Sequence, residues 1–281
     1  MSLKGMLTGR KAYKAHGNGQ YEEAMKLYED AYDEGMSDPR YILGYSVLLL
    51  RAGQYAKARE VLVDLQKNPA LNPGLKSQLL VNYAAAVFRM GELDKGIRLL
   101  EQQHRQGPSG LIYQTLGYLY IEKYAQENTP DFEALEAAAA AEPEKPAEKV
   151  VEKFPTIAPE GEQKTLSVRE KWAKGIDDAE AFIRESIEYD EEDSVCLDNM
   201  GQFLYRVRGD REGAKPWFDK ALAEKENQID TLWFLSRYDL EAGDRAAAIA
   251  KLEKLTDARF SPLNYVNKEM AQAELERLRR G

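Results

Sequence analysis

The stretch Gly53-Gln54-Tyr55-Ala56-Lys57-Ala58 has a close copy, Gly19-Gln20-Tyr21-Glu22-Glu23-Ala24, 34 residues earlier in the chain. Each copy begins with a glycine that can end one helix, and each places an alanine one turn into the helical pattern that follows. Self-similarity at a period of about 34 residues is typical of an array of helix-turn-helix repeats. These two stretches therefore predict an all-α protein built from repeated helix pairs.

The same pattern returns downstream at Gly91, around Gly209 and at Gly243. Alignment of the copies on their turns gives each repeat a helix A, followed by a helix B after the turn. Position 8, on helix A, is small in every copy: Ala12, Ser46, Ala84, Gly117, Gly201 and Ser236. Position 20, on helix B, is also small: Ala24, Ala58, Gly96, Ala179, Ala214 and Ala248. Position 24 is large and apolar: Tyr28, Leu62, Leu100, Ile183, Phe218 and Leu252.

This alternation of small and large residues has a steric reason. Where helices A and B cross, only a small side chain lets the two backbones approach, and the large residue one turn later fills the space beside it. An array of this kind is elongated, because each repeat packs mainly against its neighbours.

These positions resemble the tetratricopeptide repeat (TPR) family over about 80% of the chain. The resemblance implies a right-handed α-solenoid of about six helix-turn-helix repeats with a C-terminal capping helix. The resemblance lies in the spacing of these positions more than in the identity of the residues. The family's aromatic residue at position 4 of helix A is present only as Tyr113, and Ile42, Leu80, Leu197 and Leu232 replace it in other copies.

The fourth repeat is interrupted. Its helix A is predicted at 113–120 and its helix B at 177–188, so that residues 125–172 form an insertion. The insertion holds 5 of the 11 prolines and a run of five alanines. Such a composition buries too little apolar surface to offset the entropy of ordering it.

Within this insertion we expect a short helix near 132–141, a disordered middle, and a helix over 167–174 that docks through Trp172. An alternative assigns residues 130–141 as helix B of the fourth repeat. The first interpretation is favoured, since residues 188–193 then connect helix B to the next helix A as an ordinary turn between repeats.

At the C-terminus, Ser261 and Pro262 have the residue types of a helix N-cap and first helical position, so a capping helix is predicted from there to Arg280. The predicted division of the chain is residues 1–124 for repeats one to three and helix A of repeat four, 125–172 for the flexible insertion, 173–260 for helix B of repeat four and repeats five and six, and 261–281 for the capping helix.

Charge and composition argue against several classes of partner. The formal net charge of −9 disfavours nonspecific binding to nucleic acid or anionic membranes, which needs dense lysine and arginine. No segment of 18 apolar residues and no secretory signal are present, so we expect no membrane insertion and a cytoplasmic location. Cys196 is the single cysteine, which excludes an intramolecular disulfide.

The sequence contains no arrangement typical of catalysis. His16 and His104 are the only histidines, and neither has the spacing of a metal ligand set. No glycine-rich phosphate loop follows a predicted strand. We therefore expect no enzyme activity, no catalytic residue, no cofactor and no metal.

The resemblance to TPR proteins implies a binding site on the concave surface, which helix A lines in that family. Aromatic residues interleaved with arginines are enriched at interface hot spots, and arginine binds carboxylates through two hydrogen bonds. The predicted partner-binding residues are Tyr13, Leu43, Val47, Leu50, Arg51, Phe88, Arg89, Gln114, Tyr118, Gln202, Tyr205, Arg206, Trp233 and Arg237. Alternatively, these residues are structural, because a cation at the end of a helix is favoured by the helix dipole and apolar groove residues can pack on the preceding repeat.

Two hypotheses for function follow. The first is a protein–protein interaction scaffold that binds a peptide or helical segment with acidic and apolar groups in the concave groove. The second is a regulatory sensor in which the 125–172 insertion gates this groove. Neither the partner nor the oligomeric state follows from the sequence.

Overall fold

The computed structural model describes the backbone of residues 2–141 and 166–280. The middle of the predicted insertion, residues 142–165, lies outside the described residues. Within the described ranges every regular element is helical. The helices are α1 Leu3–Gly17, α2 Tyr21–Asp33, α3 Pro39–Arg51, α4 Tyr55–Leu65, α5 Pro73–Arg89, α6 Leu93–Gln106, α7 Gly110–Tyr124, α8 Phe132–Ala141, α9 Val168–Tyr189, α10 Ser194–Gln202, α11 Arg211–Glu224, α12 Ile229–Glu241, α13 Arg245–Thr256 and α14 Lys268–Arg280.

Two short elements complete this order. A 3-10 turn at Gln126–Asn128 follows α7, and a π-helical stretch at Phe203–Arg208 continues α10. The helices pair in sequence into six repeats: α1 with α2, α3 with α4, α5 with α6, α7 with α9, α10 with α11, and α12 with α13. The predicted α-solenoid is confirmed.

The predicted small positions lie where helices cross. Every residue assigned to positions 8, 20 and 24 is buried. At Gly201 a Cβ atom would lie 2.7 Å from two carbon atoms of the Phe218 ring, so position 8 admits no larger residue in this repeat. Gly53 has a φ of 72°, the left-handed conformation that ends helix A of the second repeat.

The apolar core runs along the stack. Tyr28, Leu62 and Leu100 are fully buried in the N-terminal half of the core. In the C-terminal half the rings of Phe218 and Phe234 stack with a centroid distance of 5.0 Å. Burial of these large side chains, each worth about 1.5–3 kcal/mol, is what holds successive repeats together.

The fourth repeat differs in detail from its prediction. Residues 168–189 form one continuous helix, α9, where the sequence predicted two separate helices. Ser167 and Glu170 form a capping box at its start, and the Trp172 ring packs on Tyr124 at 4.9 Å. These contacts stabilise two additional turns ahead of the repeat.

The alternative assignment of 130–141 as helix B is wrong, because α9 packs along α7. The short helix expected near 132–141 is present as α8, which packs on the start of α9 through Phe132 and Trp172. The domain limits themselves stay predictions.

The final helix begins later than predicted. Ser261 and Pro262 do not start it; the Ser261 hydroxyl accepts a hydrogen bond from the Leu263 amide, and the Ser261 amide donates to Asn264, which forms a turn. Helix α14 begins at Lys268, where the Asn267 side chain accepts from the Met270 amide at 2.8 Å. In the described ranges, no helix has the length and apolar content needed to cross a membrane.

Candidate functional site

The concave face is formed by helix A of successive repeats. Arg51 at the end of α3, Tyr118 of α7, Gln202 of α10 and Asp230 of α12 line one shared cavity of about 550 Å³. We call the surface around this cavity the groove. Because these residues come from four repeats, the groove exists only when the solenoid is stacked and curved.

The groove is partly filled by the chain itself. Residues 257–267, which join α13 to α14 and which we call the connector, cross the groove and reach the N-terminal repeats. Arg89 at the end of α5 donates from Nε to the Pro262 carbonyl at 2.6 Å and from Nη2 to the Asn264 carbonyl at 3.0 Å. An arginine of the third repeat therefore holds main-chain carbonyls of a segment that follows the sixth.

Asp230, near the start of α12, holds the other side of the connector main chain. Its carboxylate accepts hydrogen bonds from the Tyr265 amide, the Val266 amide and the Asn264 side chain, each at 3.1 Å. Burial raises the pKa of Asp230 to about 6, although these hydrogen bonds and the charge of Arg206 act in the opposite direction.

Aromatic stacking holds the Tyr265 side chain in the groove. Its ring stacks on Phe234 of α12 with a centroid distance of 5.3 Å. The Arg206 guanidinium lies over the Tyr265 ring at 4.0 Å. A cation over an aromatic ring in a partly desolvated site contributes about 0.5–2 kcal/mol.

Phe260 anchors the opposite end of the connector. It lies in a mostly apolar cleft of about 610 Å³ that Tyr21, Met25 and Leu48 line. Beside it, the Arg259 guanidinium stacks over the Tyr21 ring at 3.6 Å. The connector therefore spans the groove from the first repeat to the sixth.

Two arginines meet where the connector passes the second repeat. Arg51 and Arg259 both line the 550 Å³ cavity and the adjoining apolar cleft. Partial burial and the charge of Arg259 together lower the pKa of Arg51. No carboxylate among the described residues shifts the pKa of Arg51. A cation that no carboxylate neutralises favours an anionic ligand.

Arg206 is the buried cation of the groove wall. It lies in the π-helical stretch, and its side chain is 5% exposed. It forms ion pairs with Glu122 of α7 at 2.6 Å and with Glu127 of the 3-10 turn at 2.7 Å. Burial alone would lower the pKa of Arg206, but the two glutamates outweigh that effect and raise it.

A second buried carboxyl group lies behind Asp230. Asp198 accepts hydrogen bonds from the Thr231 hydroxyl at 2.5 Å and from the Gln202 amide at 2.7 Å. Burial, and then the charge of Asp230, raise the pKa of Asp198 to about 7. The floor of the cavity is therefore acidic and its connector side is basic.

The structure divides the predicted partner-binding residues by exposure. Leu43, Leu50, Tyr118, Gln202 and Arg206 are buried. Partly buried residues are Val47, Phe88, Gln114, Tyr205, Trp233 and Arg237; exposed residues are Tyr13, Arg51 and Arg89. As partner contacts, all fourteen stay predictions.

Several of these side chains already have internal partners. Gln114 donates to Asp193 at 2.6 Å, and Arg237 pairs with Glu274 of α14 at 2.5 Å. Asp230 and the connector were missed by sequence reasoning. The connector sequence, Asp257 to Asn267, is short and carries no repeat signal that could have placed it in the groove.

His16 lies near Arg51 and Arg259, since burial and then the charges of these two arginines lower its pKa. Cys196 takes no part in this site. Cys196 is buried, and burial raises the pKa of its thiol to about 12, which disfavours the reactive thiolate. Among the residues that the structure describes, no group of three or more histidine, cysteine and acidic side chains could hold a metal ion.

Comparison with known proteins supports the repeat fold. The family model described as tetratricopeptide repeat matches residues 15–73, which covers most of the first two repeats. Residues 15–73 therefore form tetratricopeptide repeats. No curated protein sequence matches it.

Solved TPR-like structures share the fold at low sequence identity. A thermophilic TPR protein of Thermus thermophilus is 14% identical with a TM-score of 0.57, and the match covers 86% of this chain and 98% of that one. The human IFIT1 dimer with m7Gppp-AAAA is 15% identical with a TM-score of 0.58, and the match covers 96% of this chain and 54% of that one. Likeness at this identity establishes the fold alone, so the predicted absence of a nucleic-acid partner stays a prediction.

Proposed function

We propose that this TPR protein is a scaffold that binds an extended segment of a partner protein in its groove. Tetratricopeptide repeats build protein-interaction scaffolds in general. The proposal adds the place, which is the concave groove, and the form of the ligand, which is an extended peptide.

The main support is the way in which the groove holds the connector. Arg89 donates to two main-chain carbonyls, and Asp230 accepts from two main-chain amides. Main-chain hydrogen bonds supply affinity without regard to side-chain identity, while side pockets add specificity. A groove with both features is suited to extended peptides.

The charge distribution supports a partner segment with an acidic group. Arg51 faces the cavity, and no carboxylate among the described residues shifts its pKa. A carboxylate bound beside Arg51 would neutralise its guanidinium and accept charge-assisted hydrogen bonds, which contribute about 1.5–3 kcal/mol each.

The test begins with peptides selected by phage display against the intact protein. A photo-cross-linking amino acid, p-benzoylphenylalanine, replaces the half-buried Phe88, whose ring packs on Tyr118 of the groove, or, as a matched control, the exposed Val63 on helix B of the second repeat. We expect the selected peptide to cross-link from position 88 and not from position 63. Cross-linking from position 63 alone would place the site outside the groove.

The chemistry is tested by removing one charge. Arg51→Gln is expected to weaken binding of an acidic selected peptide about 10-fold or more, from the loss of one charged hydrogen bond. The control is Arg105→Gln, which removes an exposed arginine from the last turn of α6, outside the groove. Equal affinity of the two variants would contradict a role for Arg51.

The second hypothesis, gating by the 125–172 insertion, stays a prediction. Its described start, the turn at Gln126–Asn128, places Glu127 against Arg206 at the groove wall. That contact alone does not favour gating over a structural role.

A further inference from the structure

The connector lies where a partner segment would have to bind. It spans the groove between the Phe260 cleft and the Tyr265 stack, and its main chain uses the hydrogen-bonding groups of Arg89 and Asp230. A second extended segment cannot use these groups at the same time. Binding of a partner in the groove therefore requires that the connector leave.

We propose that the connector is an internal competitor for the groove, and that the partner segment replaces residues 258–265 with the same pattern of contacts. This inference rests on the proposed function. It specifies the partner as an extended segment with two apolar or aromatic side chains five residues apart, the spacing of Phe260 and Tyr265.

The part of the connector that is proposed to leave, residues 258–265, lies between two buried residues. Leu255, before the connector, and Val266, near its end, are fully buried in the C-terminal core. Between them, Phe260, Leu263 and Tyr265 are only partly buried. Few buried apolar contacts and an irregular backbone are the properties of segments that open locally at low cost in free energy.

The internal hydrogen bonds of the connector also allow it to move as a unit. The Asn264 amide donates to the Ser261 carbonyl at 3.0 Å, and the Asn264 side chain accepts from the Ser261 amide at 2.7 Å. Both of these hydrogen bonds lie within the connector. Release therefore breaks the contacts of Arg89 and Asp230 while the turn is retained.

The geometry defines what the replacing segment must offer. Arg89 requires two carbonyls, at the positions of residues 262 and 264, and any residue type supplies these. Asp230 requires an amide N–H at the position of Tyr265. Proline has no amide hydrogen, so proline is tolerated at the position of Pro262 but excluded at that of Tyr265.

Competition should be strong because the connector is tethered. A segment attached at both ends is present at an effective concentration in the millimolar range, so even weak contacts compete with a free peptide. Removal of the connector is therefore expected to raise the affinity for a groove peptide at least 10-fold.

The experiment uses a fluorescent peptide with the sequence of residues 257–265, and fluorescence anisotropy measures its binding to three full-length proteins. These are the wild type, a variant in which a glycine-serine linker of equal length replaces residues 258–265, and the double substitution Phe260→Ser with Tyr265→Ser. Circular dichroism shows whether the linker variant folds. If it does not, the third protein still tests the proposal, because it keeps the native chain length and main chain.

We expect the peptide to bind both altered proteins at least 10-fold more tightly than the wild type. A peptide with proline at the position of Tyr265 should bind at least 10-fold more weakly than the unchanged peptide. Equal affinity for the wild type and both altered proteins, or equal binding of the proline peptide, would overturn the proposal.

A phage-selected peptide measured in parallel separates the two proposals. If it cross-links in the groove and binds all three proteins equally, the groove function stands and the competition does not. If no peptide cross-links in the groove of any of the three proteins, the proposed function itself fails.

Discussion

The ion pairs of Arg206 allow a quantitative test of the groove wall. The Arg206 side chain is 5% exposed, and its partner Glu122 is 15% exposed. Substitution of Arg206→Met removes the guanidinium and leaves the Glu122 carboxylate buried without its cation. Breaking a buried pair in this way costs about 3–5 kcal/mol of folding free energy.

Two further substitutions make the test specific. Glu127 is 49% exposed, so loss of its ion pair in Glu127→Gln should cost no more than about 1 kcal/mol. The double substitution Arg206→Met with Glu122→Leu should recover most of the loss, because apolar replacement of a whole buried pair is often neutral.

The measurement is a urea titration followed by tryptophan fluorescence. All three tryptophans, Trp172, Trp217 and Trp233, lie in the C-terminal half, so the signal reports on repeats four to six, where Arg206 lies. A loss below about 1 kcal/mol for Arg206→Met, or no recovery in the double variant, would refute the account of Arg206 as a desolvated cation that Glu122 neutralises.

Three other predictions concern single sites. Burial raises the pKa of Asp198 in the folded protein to about 7, so above about pH 4 the folded protein binds more protons than the unfolded chain. The free energy of unfolding, measured by urea titration, should therefore fall from pH 5 to pH 8 relative to that of Asp198→Asn. Gly201→Ala forces a methyl group against Phe218 and should lower the free energy of unfolding, measured by thermal unfolding, by about 1–3 kcal/mol. The control Gly17→Ala has no neighbouring atom within 4 Å of the new methyl group and should leave the stability unchanged or slightly raise it. Cys196, whose burial raises the pKa of its thiol to about 12, should react with a thiol reagent at pH 8 at least about 10-fold more slowly in the folded protein than in urea.

The repeat architecture could be predicted from the sequence because its causes are local and recurrent. Small residues such as Ala24 and Ala58 mark helix crossings at a fixed spacing, and turn glycines such as Gly53 mark the ends of helix A. Each copy repeats the same steric requirement, so the copies support one another. The predicted burial of these positions is confirmed.

The connector could not be predicted because its contacts are between residues far apart in the chain. Arg89 binds Pro262 and Asn264, which are more than 170 residues away, and this contact depends on the curvature of the whole stack. Locally, Ser261 and Pro262 fit a helix start as well as a turn. The burial of Arg206 could not be predicted either, because it depends on the path of the chain after α7.

The extra turns of α9 are a smaller feature that the sequence did not predict. The sequence predicted separate helices at 167–174 and 177–188, and Gly175, a residue of low helix propensity, lies between them. In the structure the Tyr124 side chain packs directly against Gly175, where a Cβ atom would clash with the Tyr124 hydroxyl and ring. Glycine is therefore needed there for close packing.

The central claim is that the groove holds one extended segment, either the connector or that of a partner. Hydrogen exchange at the Tyr265 amide, which donates to Asp230 at 3.1 Å, tests this most directly in the wild-type protein. The amide should exchange slowly in the free protein and markedly faster at saturation with a groove-binding peptide. Unchanged protection of this amide at saturation would contradict the claim.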